Sequence, residues 1–112
     1  MTNATFKGIS DMIQSLGIPY AYYQFPEGTE QATPFICFYF SDERGMNADN
    51  INYGKIVRLV IELYTDDKRF DLEAQIENLL TGNEIAFAKY ESYIDTEQML
   101  QETYEMEVFI NG

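Results

Sequence analysis

The chain has 112 residues, a hydrophobic content of 46% and a formal net charge of −12 at pH 7. This length and hydrophobic content fit one folded domain with one core, and they exclude a globally disordered chain. Nineteen acidic against seven basic side chains argue against binding to nucleic-acid phosphates or to anionic membranes, because both require clusters of lysine and arginine.

The first predicted element is an amphipathic helix. Its apolar stripe, with spacings of three, four and three, consists of Phe6, Ile9, Ile13 and Leu16. Thr2, Asn3 or Thr5 is placed to cap its start, and Gly17 followed by Pro19 is placed to end it. Such a helix needs another layer to cover its apolar stripe.

Three strands are predicted next. The tyrosine-rich segment 18–25 is typical of a short strand, and segment 35–40, apolar at every position, is typical of a central strand. Segment 55–65 alternates most regularly. One of its faces carries Val57, Leu59, Ile61 and Leu63, and the other carries Arg58, Val60, Glu62 and Tyr64.

A long polar segment, 41–54, separates the second and third strands. It is too long for a plain turn and too rich in Asn, Asp, Ala and Gly to be buried, so we predict a loop that contacts another molecule. Folded back as a hairpin, it would reach about 20 Å. The candidate interface residues are Arg44, Gly45, Met46, Asn47, Ala48, Asp49, Asn50, Ile51, Asn52 and Tyr53.

A second helix is predicted after the third strand. Its apolar stripe consists of Leu72, Ile76, Leu79 and Leu80. Residues 65–67 offer capping side chains, Gly82 is placed to end the helix, and Arg69 with Glu73 forms a predicted ion pair on its outer surface.

Two further strands, 85–94 and 99–110, are joined by a turn at 95–98. The first has no clean apolar face, whereas the second has one that only Glu102 interrupts. That face consists of Leu100, Tyr104, Met106, Val108 and Ile110. The order α-β-β-β-α-β-β predicts a single α+β domain over residues 1–112, with an antiparallel or mixed sheet of about five strands and both helices on one face.

Chemical groups suited to catalysis or metal binding are scarce. The chain has no histidine, and its single cysteine, Cys37, lies in an apolar run where a buried hydrophobic role is expected. No carboxylate pair stands in a sequence context that separates two pKa values for acid–base work. The Asn and Asp residues of 47–52 lack the spacing of a calcium loop. We predict no catalytic residue, no cofactor, no metal and no membrane span, in a protein made and kept in a cytoplasm.

An ordered set of short segments spans most of the chain. It consists of 16–20, 34–39, 48–53, 62–65, Lys68, Glu73 with Ile76, Glu77 and Leu80, then 89–94 with Glu97, and Tyr104 with Glu105. Taken in order, these segments resemble the tail-completion, or head–tail joining, proteins of long-tailed phages and prophages.

The resemblance implies a fold similar to tail-terminator and tail-tube subunits, and assembly as a ring, usually a hexamer, at the head-proximal end of the tail. Such a ring terminates the tube of tail tube protein and binds the head connector or stopper protein, while DNA passes through its lumen. No catalytic residue is implied. The segment 41–54 corresponds to the loop expected to contact other subunits or the tube, and the expected location is the virion, after synthesis in the bacterial host cytoplasm.

The charge fits this expectation in one respect. Six copies would carry about −72, six times −12, and carboxylates on a lumen wall would repel passing phosphates. Two alternatives remain open at this point. An acidic DNA mimic that inhibits a nucleic-acid enzyme would also explain the charge, although the carboxylates form no regular rows. A head-side connector component is the other, but two helices and five strands favour the tail-side fold.

Overall fold

The computed structural model describes residues 3–26, 31–48 and 51–110, without the side chains of 3, 4, 42, 44–48 and 51–53. The helices are α1 (Phe6–Gln14) and α2 (Phe70–Gly82). The strands are β1 (Asn3–Ala4), β2 (Tyr20–Tyr22), β3 (Phe35–Ala48), β4 (Ile51–Thr65), β5 (Ala88–Ile94) and β6 (Met99–Ile110). The predicted α+β order is confirmed, with the two-residue β1 added before the first helix.

All the described strands form one mixed sheet. Its order is β1-β6-β4-β3-β2, and β5 also pairs with β6, on the same side as β1. The three long strands are antiparallel neighbours: Leu59 of β4 lies between Phe40 of β3 and Met106 of β6. The short strands β1 and β2 pair in parallel with β6 and β3.

Both helices pack on the same face of the sheet, as predicted; we call it the helix face. Phe38, Ile61 and Tyr104 lie side by side on this face and are buried with the helical residues Ile9 and Ile76 in one core. The opposite face, which carries Tyr39, Val60 and Glu105 in register, we call the open face, since no described helix covers it.

The start of α1 follows the sequence prediction. Thr5 is its N-cap, and the Thr5 hydroxyl accepts a hydrogen bond from the Gly8 backbone N–H at 2.9 Å. Gly17 has a φ of 74°, which a glycine adopts without steric cost, and this turns the chain toward β2.

The start of α2 differs from the prediction in two respects. The N-cap is Arg69, which makes no side-chain capping hydrogen bond, so residues 65–67 do not cap the helix. Arg69 pairs with Asp71 at 2.9 Å, while Glu73 is 3% exposed and faces the sheet. The predicted Arg69–Glu73 ion pair is therefore wrong, because Glu73 shares the buried side of the helix with Ile76 and Leu80.

The secondary structure predicted for segment 41–54 is also wrong, while its predicted contact with another molecule stays a prediction. Its described residues continue β3 and β4 as an antiparallel hairpin, from Glu43 opposite Val57 to Ala48 opposite Ile51. The two chain segments satisfy each other's backbone hydrogen bonds, which offsets the poor strand propensity of Asn, Asp and Gly. Asp49 and Asn50 lie outside the described residues.

The positions of β5 and β6 in the sheet explain why their sequence patterns differ. Residues 88–93 of β5 are exposed, because β5 lies at the edge of the sheet, so neither of its faces had to be apolar. In β6, Tyr104, Met106, Val108 and Ile110 are buried on the helix face, as predicted. The turn at 95–98 joins β5 and β6, also as predicted.

Candidate subunit interface

A two-stranded arm extends beyond the rest of the sheet. The pairing of β4 with β6 ends where Lys55 meets Ile110. Before Lys55, the paired residues of β4 (Ile51, Asn52 and Gly54) pair with β3 alone. We call its described residues, 45–48 and 51–54, the arm. The chain measures 51 Å along its longest axis, and its radius of gyration is 15.1 Å, against about 13 Å for a compact domain of this length.

The arm contains most of the predicted interface residues. The backbone of 44–48 and 51–53 lies in it or at its base. The side chains of these residues, including those of the rejected calcium loop, are outside the described part of the chain, so the assignment of side-chain contacts to them stays a prediction.

Two β-bulges interrupt the β3–β4 ladder, one before the arm and one within it. One extra residue of β3 lies between the Phe40 and Glu43 pairings, and one extra residue of β4, Tyr53, lies between the Met46 and Asn47 pairings. A bulge bends its strand and increases the local twist. The arm therefore leaves the plane of the sheet at defined positions.

Gly54 is the residue from which the arm begins. Its φ is +132°, and a Cβ there would lie 2.6 Å from the Ile110 carbonyl oxygen and 2.9 Å from Cζ of Phe109. Only glycine accommodates both the backbone conformation and the close approach of β6. The sequence placed Gly54 in a loop, and nothing local indicated its contact with residues 109 and 110.

Both lateral edges of the sheet, as described, have unpaired strand segments: one at β2 and β3, the other at β5. At one end, β2 pairs with β3 only as far as Phe38, and the left-handed Tyr23 (φ 67°) turns the chain away. The Tyr22 hydroxyl then accepts a hydrogen bond from the Phe40 backbone N–H at 3.2 Å. At the other end, β5 pairs only with β6 among the described strands. Open edges of this kind are sites at which further strands add.

An aromatic groove runs along the helix face at the base of the arm. It encloses about 530 Å³ between α1 and the β2–β3 edge. Its walls include Phe6, Ser10, Tyr22, Phe38, Phe40 and Glu43. Phe6 and Tyr22 are 41% and 48% exposed, so the groove presents aromatic surface to solvent.

The open face carries stacked aromatic rings beside a carboxylate. Tyr23 stacks on Tyr39 with ring centres 4.9 Å apart, and Phe35 stacks on Tyr64 at 4.8 Å. The Tyr64 hydroxyl donates to Glu62 at 2.9 Å. Burial, and then the Glu62 charge, raise the pKa of Tyr64 well above its ordinary value. This face is half-buried by its own side chains and is acidic.

Beneath the N-terminal half of α2 lies a network of ionised groups, which we call the carboxylate cluster. It consists of Lys68, Glu73, Glu77, Lys89, Glu91, Glu102 and Tyr104. The Lys68 ammonium lies 2.9 Å from Glu73, 2.6 Å from Glu91 and 3.4 Å from Glu102. The Lys89 ammonium lies 2.6 Å from Glu73 and 2.7 Å from Glu77, which also accepts a hydrogen bond from the Tyr104 hydroxyl at 2.9 Å.

Two carboxyl groups of the cluster have pKa values displaced in opposite directions. Burial raises the pKa of Glu102 to about 7, helped by its hydrogen bond with Glu91 and the charge of Glu73. The same hydrogen bond, and then Lys68, lower the pKa of Glu91. The sequence-based expectation that no carboxylate pair separates two pKa values is therefore wrong. Glu102 is 1% exposed, so in this conformation no solute reaches it.

Three carboxylates of the cluster have the spacing of a possible cation site. Ligand oxygens of Glu73, Glu91 and Glu102 all lie within 4.8 Å of one another. The ammonium of Lys68 already lies within 3.4 Å of all three carboxylates. A lysine in this position supplies the positive charge that a metal ion would bring, which makes the cluster a structural ion network.

The lysines and arginines whose side chains are described all pair with carboxylates within the chain. Each of the six lysines and arginines whose side chains are described lies within 4 Å of a carboxylate of the same molecule. Because acidic residues outnumber basic ones by nineteen to seven, the remaining surface charge is negative. A partner that binds through charge must therefore bring cations of its own.

Sequence reasoning missed the carboxylate cluster, although several of its members belong to the ordered set of segments described above. That set includes Lys68, Glu73, Glu77 and Lys89. These residues are separated in the chain by up to 21 positions, but they are in contact in the folded structure. The one local signal was Glu102, a charged residue in the otherwise apolar face of β6.

No described helix has the length and apolar character needed to cross a membrane. Neither a protein-family profile nor a curated protein sequence matches this chain.

Proposed function

We infer that this chain is a structural protein of a phage or prophage virion, which assembles as a ring at the head-proximal end of the tail. The ring terminates the tail tube, binds the head connector and lets DNA pass through its lumen. The feature that supports this function best is the arm, whose described residues, 45–48 and 51–54, extend beyond the rest of the sheet in a position suited to contact a neighbouring molecule.

The positions of the open edges support a ring over a two-fold dimer. The β5 edge and the β2–β3 edge are the two opposite lateral edges of the sheet. A contact between unlike edges repeats from subunit to subunit. It closes into a ring when a whole number of these rotations makes one full turn. The aromatic groove lies next to the β2–β3 edge and adds apolar area to that side.

The charge fits a ring through which DNA slides. With the described cations paired internally, the surplus carboxylates are left to face solvent or the lumen. Subunits of charge −12 repel one another, so ring assembly strengthens as salt screens the repulsion. A ring with a neutral or basic lumen would remove the role of charge and leave the assembly role intact.

Deletion of residues 46–51 in the phage that encodes this chain tests the proposal. The deletion removes the outer pairs of the β3–β4 ladder but leaves the pairs from Phe35–Tyr64 to Gly45–Lys55, and the pairing of β4 with β6, in place, so the purified variant keeps its cooperative unfolding transition. We expect lysates to contain heads and tails that are not joined. A matched control replaces Thr96 and Glu97 by glycine in the β5–β6 turn, at the opposite end of the sheet. Joined, infectious particles at wild-type yield from the deletion would contradict the role of the arm.

An acidic DNA mimic is the second candidate, favoured by the internal use of all described cations. The two functions predict opposite responses to salt. Binding of a mimic to a basic enzyme weakens steeply between about 0.05 M and about 0.5 M salt, whereas self-assembly of acidic subunits strengthens. Sedimentation velocity at both salt concentrations, with purified protein alone and with host lysate, distinguishes them.

A further inference from the structure

The carboxylate cluster holds more negative than positive charge in a buried place. Four glutamates, Glu73, Glu77, Glu91 and Glu102, face two lysines, Lys68 and Lys89. Fully ionised, the cluster would carry two uncompensated negative charges, although Glu73 and Glu102 are only 3% and 1% exposed. Uncompensated charge at that depth is strongly unfavourable, so the folded chain gains by binding a proton there.

Glu102 is the carboxyl group with the poorest supply of hydrogen-bond donors. Its Oε2 lies 3.4 Å from the Lys68 ammonium, the longest of the contacts that Lys68 makes. Its Oε1 is buried and meets no donor among the described residues. A proton on this carboxyl supplies the missing donor, and the Glu91 carboxylate, with an oxygen within 4.8 Å of one of Glu102, is the neighbouring acceptor.

Glu91 and Glu102 are also direct cross-strand neighbours. They occupy the same register position of the β5–β6 ladder, on the helix face. Like charges directly opposite each other destabilise an antiparallel pair, and here Glu73 of α2 adds a third carboxylate above them. One proton held between the two carboxyl groups would therefore replace this repulsion by a hydrogen bond across the β5–β6 ladder.

We propose that Glu91 and Glu102 share one proton in the folded protein, and that loss of this proton loosens edge strand β5 from β6 and α2. Among the described residues, the ionisable groups that contact the pair or its ion-paired neighbours are Glu73 and Glu77 from α2, Lys68 from the segment before α2, Lys89 from β5 and Tyr104 from β6. The two lysines hold the cluster together once the proton has left, so β5 loosens without detaching.

The displaced pKa values of Glu91 and Glu102 support a shared proton. The pKa of Glu102 is raised to about 7 by burial, by its hydrogen bond with Glu91 and by the Glu73 charge, against the ordinary value of 4.5. The folded state therefore holds a proton that the unfolded chain has already released, and stability falls as pH rises from about 4.5 to about 7. Across that window the ratio of folded to unfolded chain falls on the order of 100-fold from this group alone.

Glu102→Gln tests the source of the pH dependence, because an amide keeps the shape and the donor but cannot ionise. We expect the urea midpoint of the natural protein to fall between about pH 5 and about pH 8, and that of Glu102→Gln to stay level. Glu97→Gln, an exposed change in the β5–β6 turn, is the matched control and keeps the fall. An equal fall in Glu102→Gln and in the natural protein would overturn the proposal.

Carbon NMR of the glutamate side chains tests the shared proton without any substitution. We expect one carboxyl resonance to titrate with a midpoint near neutral pH, coupled to a second that titrates below its ordinary range. If every glutamate carboxyl titrates below about pH 5.5, no proton is shared and the proposal fails.

Hydrogen exchange then locates the loosening. Protection factors of the β5 amides in segment 88–94, which correct for the intrinsic effect of pH, are expected to fall several-fold between about pH 6 and about pH 8.5 in the natural protein. In Glu102→Gln they stay constant, and those of the β3–β4 ladder stay constant in both proteins. Protection of β5 that does not change with pH would overturn the predicted loosening. These outcomes concern the isolated chain, so they are independent of any role in a virion.

Discussion

The side-chain hydroxyl of Tyr22 takes the place of a missing strand at the edge of β3: it accepts a hydrogen bond from the Phe40 backbone N–H at 3.2 Å. The parallel pairing of β2 with β3 ends at Phe38, and the left-handed Tyr23 directs the chain away before another backbone carbonyl can reach Phe40. One tyrosine therefore sets where the covered part of this edge ends and the open part begins.

Removal of that hydroxyl tests its effect on the edge. Tyr22→Phe keeps the ring contacts with Phe38 and Phe40 but leaves the Phe40 N–H to water, so we expect a loss of about 0.5–1 kcal/mol in the free energy of unfolding. The Phe40 amide should exchange several-fold faster with solvent. Tyr93→Phe, at another exposed tyrosine, serves as control. An unchanged Phe40 exchange rate in Tyr22→Phe would show that the hydroxyl does not cover the edge.

Substitution of Gly54 tests the base of the arm. In Gly54→Ala the new Cβ meets the Ile110 carbonyl oxygen at 2.6 Å, and the residue must hold a φ of +132°. We expect a loss of about 2 kcal/mol or more in the free energy of unfolding, measured by urea denaturation. Gly82→Ala is the control, because nothing lies within 4 Å of its Cβ and alanine favours the helix. Equal stability of Gly54→Ala and the natural protein would contradict the close contact with β6.

Removal of the central cation tests the carboxylate cluster. Lys68→Met leaves Glu73 and Glu102 with one fewer positive charge in a buried place, so we expect a loss of about 1–3 kcal/mol, reduced from the fully buried case because the lysine is one-third exposed. The pKa of Glu102 should rise further, since Lys68 is the charge that lowers it. Lys7→Met breaks an exposed ion pair with Asp11 and should cost about 0.5 kcal/mol or less. Equal losses in the two variants, by urea denaturation, would mean that Lys68 is only a surface charge.

The reactivity of Cys37 tests the packing of the open face. Burial, and then the Glu62 charge, raise the pKa of this thiol to about 11, and Cys37 is 5% exposed. We expect the folded protein to react with a disulfide reagent at about pH 8 at least about 100-fold more slowly than the denatured chain. Ser41→Cys, at an exposed site, adds one fast-reacting thiol as control. Fast reaction of Cys37 in the natural protein would mean that the open face does not exclude solvent.

The sequence predicts best where one strong pattern is decisive. In β4 the alternation of Val57, Leu59, Ile61 and Leu63 gave both the strand and its buried face. In β6 the same period gave the face around Tyr104. These strands lie at the centre of the sheet, where burial on one side determines the register and where a shift by one residue would expose the apolar set.

The arm could not be predicted from local preference. Segment 41–54 is rich in amino acids that favour turns. Its described backbone nevertheless forms strands, because the end of β3 and the start of β4 are hydrogen-bonding partners. Which of two segments will pair is a non-local property. The sequence identified the right segment as a candidate for intermolecular contact, but assigned it the wrong secondary structure.

The carboxylate cluster shows the same limit for charge. The sequence pattern paired Arg69 with Glu73, its neighbour one helical turn away, whereas the structure pairs Glu73 with Lys68 and with Lys89, sixteen positions further on. Only the packing of α2 over β5 and β6 brings these groups together. The buried carboxylate of Glu102 was visible as an interruption of an apolar face, and its partners on other elements were not.

The parallel pairing of β1 with β6 has a practical consequence for experiments on assembly. Asn3 lies opposite Phe109 and Ala4 opposite Ile110, while Ile110 also pairs with Lys55 where the arm begins. Asn3 and Ile110 therefore both lie near the start of the arm, with β1 about two strand spacings from β4, so a bulky fusion to either end of the chain is brought close to the arm. Tags for such work need a cleavable linker, or insertion in the turn at 95–98, at the far end of the sheet.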